Sequence, residues 1–480
     1  MKHYKLFLLA LSFAGLFFVR DARATNPIIM DQFTADPTAR VFEGKIYLYP
    51  SHDIPVPPGS GARQNWFCME DYHVFSSENL TDWEDHGVIC NQTNVPWLNR
   101  KGYDMWAPDC VFKNGTYHFY FPVGGRIGVA TSDKPYGPWK ILDQPVAGAS
   151  GIDPCVLQDD DGTSYLFTGG GGISVAKLKD NMIELDTPPP ATNTVATNNP
   201  PGRFGRGFRS NMQRINLPNP GRTTIEGPFA FKRNGTYYLT YPHAVSVNGQ
   251  QGTEELEYAI STNVFGPYKW MGVITDTNKS GCWTEHHSIV QYKGQWYLFY
   301  HDKQLSPDFD KNRSVRVDYL HFNDDGTIQK VIPTLRGVGV VDAKSKIQID
   351  RYSDISTNGV TDSFLNPTNT FEGWKISLNG KNTWVQFNDV DFGKRSLFGR
   401  LFGRKNLESV NIKSTSSTGG SVEIHLDKVD GPLLAKVEIG KGSEWQVVNS
   451  KLANVPAGIH NLVVTHNQAN DVDLDWVSFE

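Results

Sequence analysis

Short apolar runs separated by polar turns dominate the chain, and five stretches repeat one pattern. Each has a polar residue, a short apolar run, a glycine turn and a second run rich in aromatics. They start at Asp36 (DPTARVFEGKIYLYP), Asp109 (DCVFKNGTYHFYF), Asp153 (DPCVLQDDDGTSYLFTG), Glu226 (EGPFAFKRNGTYYLTYP) and His287 (HSIVQYKGQWYLFYH). A Gly-containing turn between apolar runs marks a tight antiparallel hairpin. Every unit therefore predicts two paired strands, with the polar residue opening the first. A second pattern follows several of them: YHVFSSENLTDWEDHGVI, IGVATSDKPYGPWKILDQPV and LEYAISTNVFGPYKWMGVI each supply a strand, a turn and another strand. Repeated four-stranded units predict a β-propeller, here of five blades between Asn26 and Val341.

If the first strand of each blade lines the central channel, Asp36, Asp109, Asp153, Glu226 and His287 ring one end of it. Capping of an Asp-Pro turn explains Asp36 or Asp153 taken singly, but it does not require a matching hairpin behind each. The common register favours chemistry for Asp36, Asp153 and Glu226. For Asp109 a structural role competes, and His287 is either a ligand or a channel filler.

Beyond residue 347 the grammar changes. Residues 347–480 carry short alternating strands such as SVEIHL and HNLVVT without the hairpin repeat, which predicts a β-sandwich. The fold class expected is all-β, with a propeller over 25–342 and a sandwich over 347–480. Aromatics at 12% and charged residues at only 20% suit this class. A net charge of −5 excludes a nucleic-acid footprint.

Lys2 and Lys5, the apolar stretch Leu6 to Val19 and Ala22-Arg23-Ala24 read as a signal peptide over 1–24, so the mature chain is expected to be secreted or periplasmic. No segment reads as a membrane span, and a monomer is expected. The cysteines Cys68, Cys90, Cys110, Cys155 and Cys282 include no C-x-x-C pair and read as buried thiols.

At these residues the chain resembles glycoside hydrolase family 43. The motifs are NPIIMDQFTADPTARVFEGKIYLY, GIDPCVLQDDDGTSYLFTGG, IEGPFAFKRNGTYYLTY and HHSIVQYKGQWYLFYH. The resemblance implies an inverting hydrolase of arabinosides or xylosides on a five-bladed propeller. It makes Asp36 the general base, Glu226 the general acid and Asp153 the residue that tunes the acid. It places Phe33, Trp106 and Arg313 on the substrate, and His287 near a calcium ion reached through water. The segment 347–480 resembles carbohydrate-binding module family 6, through GKNTWVQFNDVDFG, AGIHNLVV and VDLDWVSFE. That likeness implies sugar stacking on loop aromatics, with Trp374 and Trp445 as candidates and Trp384 and Trp476 as core. Asp350 and Asp475 are candidates for a structural calcium.

Inversion needs two carboxyls of opposite protonation on opposite faces of the sugar, with room for a water between them. An ionised Asp153 beside Glu226 is expected to raise the acid's pKa. The substrate expected is a terminal α-L-arabinofuranosyl unit of plant polysaccharide, with β-D-xylosidase or another exo-acting glycosidase of the same family as the alternative. A non-catalytic sugar-binding propeller is the rival from another class. The stretch 187–211 is either a pocket wall or a surface insertion, and His52 and Asp53 are placed to reach the pocket rim.

Overall fold

A computed structural model describes residues 26–186, 210–217, 225–247, 250–393, 407–454 and 457–480. The expected signal peptide, nearly all of the 187–211 stretch and most of the basic segment 393–410 lie outside the described residues.

Five separate antiparallel sheets form the propeller, four of them four-stranded and the last three-stranded. Their innermost strands are Thr34–Phe42, Asp109–Lys113, Ile152–Gln158, Phe229–Arg233 and Ser288–Tyr292. Those are the first strands of the five sequence repeats, and each is followed in the sheet by the aromatic strand of its hairpin. The hairpins form because Asn114-Gly115 and Asn234-Gly235 both adopt positive φ, as a tight turn demands.

Aromatic rings and aliphatic side chains fill the spaces between blades. Phe231, Tyr238 and Tyr258, for example, lie in one buried cluster with Leu298 and Leu320. The last blade takes its outer edge from the chain start. The Ile28 N–H donates to Val315 O at 2.9 Å, and the Asn26 side chain pairs with both N–H and C=O of Val317. First and last blades are thereby tied together, and the ring closes.

The second domain is a sandwich of two six-stranded sheets. Alternating residues such as Ile376, Leu378, Val385, Phe387, Val464 and Leu474 form its core. Arg336 donates to Asn388 O, Thr370 to Leu305 O, and Phe33 packs on Phe371 with ring centroids 5.0 Å apart, which joins module to propeller. All five cysteines are buried and unbridged. No helix among the described residues is long and apolar enough to cross a membrane.

Candidate active site

Asp36 and Asp153 occupy matching kinks near the starts of the first and third innermost strands. Their φ angles are 47° and 53°, in the left-handed region that residues with a Cβ seldom adopt. Such backbone costs on the order of 1–3 kcal/mol and tends to gather at working sites. At Asp36 the strand pairing slips between Ala35 and Thr38, so the bulge re-aims the carboxylate. Glu226 is set by the next residue. Gly227 has φ 47°, donates its N–H to Asp153 Oδ2 at 3.2 Å, and lies so close to His286 that a Cβ would stand 2.7 Å from Nδ1.

The three acids line one pocket of about 300 Å³. Trp66, Phe67, Trp106 and Trp283 also line it, with His286 beside the acids. Carboxylates from the first, third and fourth blades thus meet among aromatic rings, the usual composition of a sugar site.

Asp36 is held ionised. Burial alone would raise its pKa, but Arg313 foremost, then His301, His286 and the Ser51 hydroxyl, hold it well below the usual carboxylate range. Arg313 donates from Nη1 to Oδ1 at 2.7 Å and from Nη2 to Oδ2 at 3.0 Å. Its other N–H groups go to Asp53 (2.9 and 3.0 Å) and Thr284 Oγ1 (3.3 Å). A guanidinium has five N–H groups, and all five are engaged.

His301 completes the cradle. Its Nδ1 accepts the Asp36 backbone N–H at 3.0 Å, while Nε2 lies 3.0 Å from Thr284 O. Burial pushes its pKa down to about 3, so the ring is neutral and carries its proton on Nε2.

Glu226 has the opposite bias. Burial first, then the field of ionised Asp36, push it up to about 7, with Arg313 opposing. Asp153 is raised as well, by burial and then by Glu226 and Asp36. The expectation of an ionised Asp153 lifting the acid needs correcting. Asp36 supplies the ionised neighbour, while Glu226 is one of the charges that oppose ionisation of the buried Asp153.

The family model for glycosyl hydrolases family 43 matches residues 24–328. The chain belongs to glycosyl hydrolases family 43. It is a glycoside hydrolase, and the model for carbohydrate binding module (family 6) matches residues 347–480. Among family relatives, the xylosidase/arabinosidase 43A of Humicola insolens is 36% identical over 63% of this chain and 98% of its own. An arabinoxylan arabinofuranohydrolase of Paenibacillus polymyxa is 27% identical over 94% of this chain and 73% of its own. A crystal structure of a family 43 β-xylosidase/α-arabinofuranosidase from a compost microbial metagenome, with xylotriose, is 32% identical. It covers 65% of this chain and 98% of its own, at TM-score 0.53.

On this family 43 propeller several residues depart from expectation. Arg313, expected on the substrate, lines the pocket but has no N–H left for a hydroxyl, because the buried acids Asp36 and Asp53 claim its donors. Phe33 does not line the pocket; it packs on Phe371 of the module. Trp106 does line it. Asp109 is fully buried in a bidentate pair with Arg40 (2.9 and 2.6 Å) and belongs to the scaffold. Asp53 is buried against Arg313, whereas His52 bonds Asp71 instead.

His287 is buried, with Nε2 on Thr240 Oγ1 and Nδ1 without a protein partner. That orphaned nitrogen fits an outer contact to a hydrated calcium. No cluster of acidic or histidine side chains able to grip an ion directly surrounds it among the described residues.

In the module, Trp374 is 4% exposed, packed at a tilt against Phe364 with Arg351 over its face, so it is a core residue and not a loop platform. Trp445 is half-buried on the strand Gly442–Lys451 with Lys413 over its ring. Trp384 and Trp476 are strand residues too, though only half-buried. Asp350 pairs with Arg351 and Asp475 with Lys413.

The sequence reading missed Ser51, Thr284, Glu285, His286 and His301. The run CWTEHHS beside His287 was the available signal for three of them. Glu285 lines the pocket with one carboxyl oxygen unbonded, and burial raises its pKa well above the carboxylate range.

Proposed function

We propose that this enzyme hydrolyses terminal α-L-arabinofuranosyl bonds of arabinoxylan with inversion. Asp36 acts as general base, Glu226 as general acid, and Asp153 as the buried carboxyl that tunes the acid. One observation carries the reading: a single pocket holds a carboxylate kept ionised by an arginine clamp and a carboxyl raised to about 7. That is the protonation split an inverting hydrolase needs. Asp36 deprotonates a water, which attacks the anomeric carbon while Glu226 protonates the leaving oxygen. Asp36 and Glu226 come from blades that are not neighbours and interact through the field alone. The pocket is at the small end of ligand cavities, suited to one sugar ring bound from a chain end.

The arabinofuranosyl assignment is supported by the Paenibacillus relative, which aligns through both domains. β-D-Xylosidase is the second reading, favoured by the names of the Humicola and compost proteins. The leader motif supports export, and the free Nδ1 of His287 supports a water-linked calcium in the channel. Release of p-nitrophenol from the α-L-arabinofuranoside and the β-D-xyloside tests the assignment. Expected is faster turnover of the arabinofuranoside and a loss of roughly 10²–10⁴-fold in Asp36→Asn. Activity on neither glycoside would overturn the substrate assignment, and full activity in Asp36→Asn would overturn the base.

A further inference from the structure

On the first blade, away from the pocket lining, His52, Asp71 and His73 form a compact group. One ligand atom from each lies within 4.8 Å of the other two. The strands dictate the meeting. Asp71 and His73 are two apart on the strand Asp71–Ser77 and share a face. Ser51 pairs with Tyr72, so His52 at the end of Lys45–His52 arrives beside them. The His52 and His73 rings meet edge to face at 5.0 Å.

A further carboxylate stands behind the group. Both oxygens of Asp85 lie 3.1 Å from His73 Nδ1, and Asp85 is itself held by the Gly87 N–H and by Gln32. A carboxylate that fixes one imidazole nitrogen, leaving the other with its lone pair, is the support histidine metal ligands usually have. The side chains remain partly open, at 22% for His52, 11% for Asp71 and 15% for His73.

We propose that His52, Asp71 and His73 bind one divalent transition cation of the zinc class, with Asp85 orienting His73. Two imidazoles and one carboxylate suit zinc, whereas calcium prefers an all-oxygen shell. Three protein ligands leave the fourth tetrahedral position to water. A zinc tetrahedron has edges of about 3.4 Å at the usual bond lengths, so the side chains draw in by about 1 Å on binding. The hydrogen bond of 2.7 Å between His52 Nδ1 and Asp71 is given up, and both groups turn to the metal. The bound ion pins the second strand of the blade to the third. Ser51 and Asp53, which support Asp36 and Arg313, flank His52, one on that second strand and the other just past its end.

The test is calorimetric titration of the chelator-treated, full-length protein with ZnCl2 and, separately, CaCl2, alongside thermal unfolding. Expected are one saturable zinc site and a rise in melting temperature with zinc that calcium does not reproduce. His52→Gln and His73→Gln each weaken zinc binding at least tenfold while leaving the metal-free melting temperature and circular dichroism near those of the parent. Asp85→Asn keeps all three ligands and loses about 10–100-fold in affinity, so the orienting role is read even if a ligand variant folds poorly. Absence of a saturable zinc site, or an unchanged site in the His52→Gln/His73→Gln double variant, overturns the proposal. So does calcium binding as tightly as zinc at these residues.

Discussion

Replacing Arg313 with lysine separates charge from geometry in the Asp36 clamp. Lysine keeps the positive charge but offers a single ammonium in place of a planar fork with two parallel bonds to Asp36. Losing one of these charge-assisted bonds costs about 1.5–3 kcal/mol. At 1.36 kcal/mol per pKa unit this raises the Asp36 pKa by about 1–2 units. The direction is fixed because burial, the largest influence on Asp36, already pushes upward and only the partners oppose it. A general base must be ionised, so activity falls as pH drops through its pKa. The acid limb of kcat/KM therefore moves to higher pH by about 1–2 units.

Stability follows the same sign. A depressed carboxylate pKa stabilises the fold above its unfolded value of about 3.9, and that contribution is lost as pH falls through the folded value. Arg313→Lys therefore melts lower at neutral pH. The assay is a pH series of kcat/KM from pH 2 to 8 on the better aryl glycoside, with melting temperatures at each pH. A folded variant whose acid limb coincides with the parent's would refute the clamp, since burial without the guanidinium would then suffice to set Asp36.

Four other outcomes probe the acid and the module. The parent's kcat/KM should decline as pH rises through about 7, where Glu226 loses its proton. Asp153→Asn removes a buried carboxyl whose charge and that of Glu226 oppose each other, so the alkaline limb moves to lower pH and the rate falls; a pH–rate curve identical to the parent's would rule out the tuning role. Trp374→Ala deletes a ring that is 4% exposed and should destabilise the module by about 3–5 kcal/mol. Trp445→Ala should leave the melting temperature nearly unchanged, and arabinoxylan binding in affinity electrophoresis tells whether that half-buried ring contacts sugar.

Much of the propeller was legible because period-2 hairpins with Gly turns are local signals. The repeat placed Asp36, Asp153 and Glu226 in equivalent positions before any contact was known. Asp109 satisfied the same register and yet is scaffold, because Arg40 happens to lie across from it. Register fixes where a side chain starts and not which partner it meets. Trp374 misled for a related reason. Tryptophan near a turn reads as a platform, but burial under Arg351 depends on how the sheets stack.

The chain alone determined the five hairpins, the change of pattern near residue 347 and the acids that open the inner strands, since each rests on neighbours a few residues apart. Tertiary structure decided the charges those acids carry. Asp36 lies 277 positions from the guanidinium that ionises it. Glu226 owes its raised pKa to burial and to a carboxylate three blades away in the chain. Protonation is set by the field of every nearby charge and by exclusion of water, and both exist only once the ring has closed.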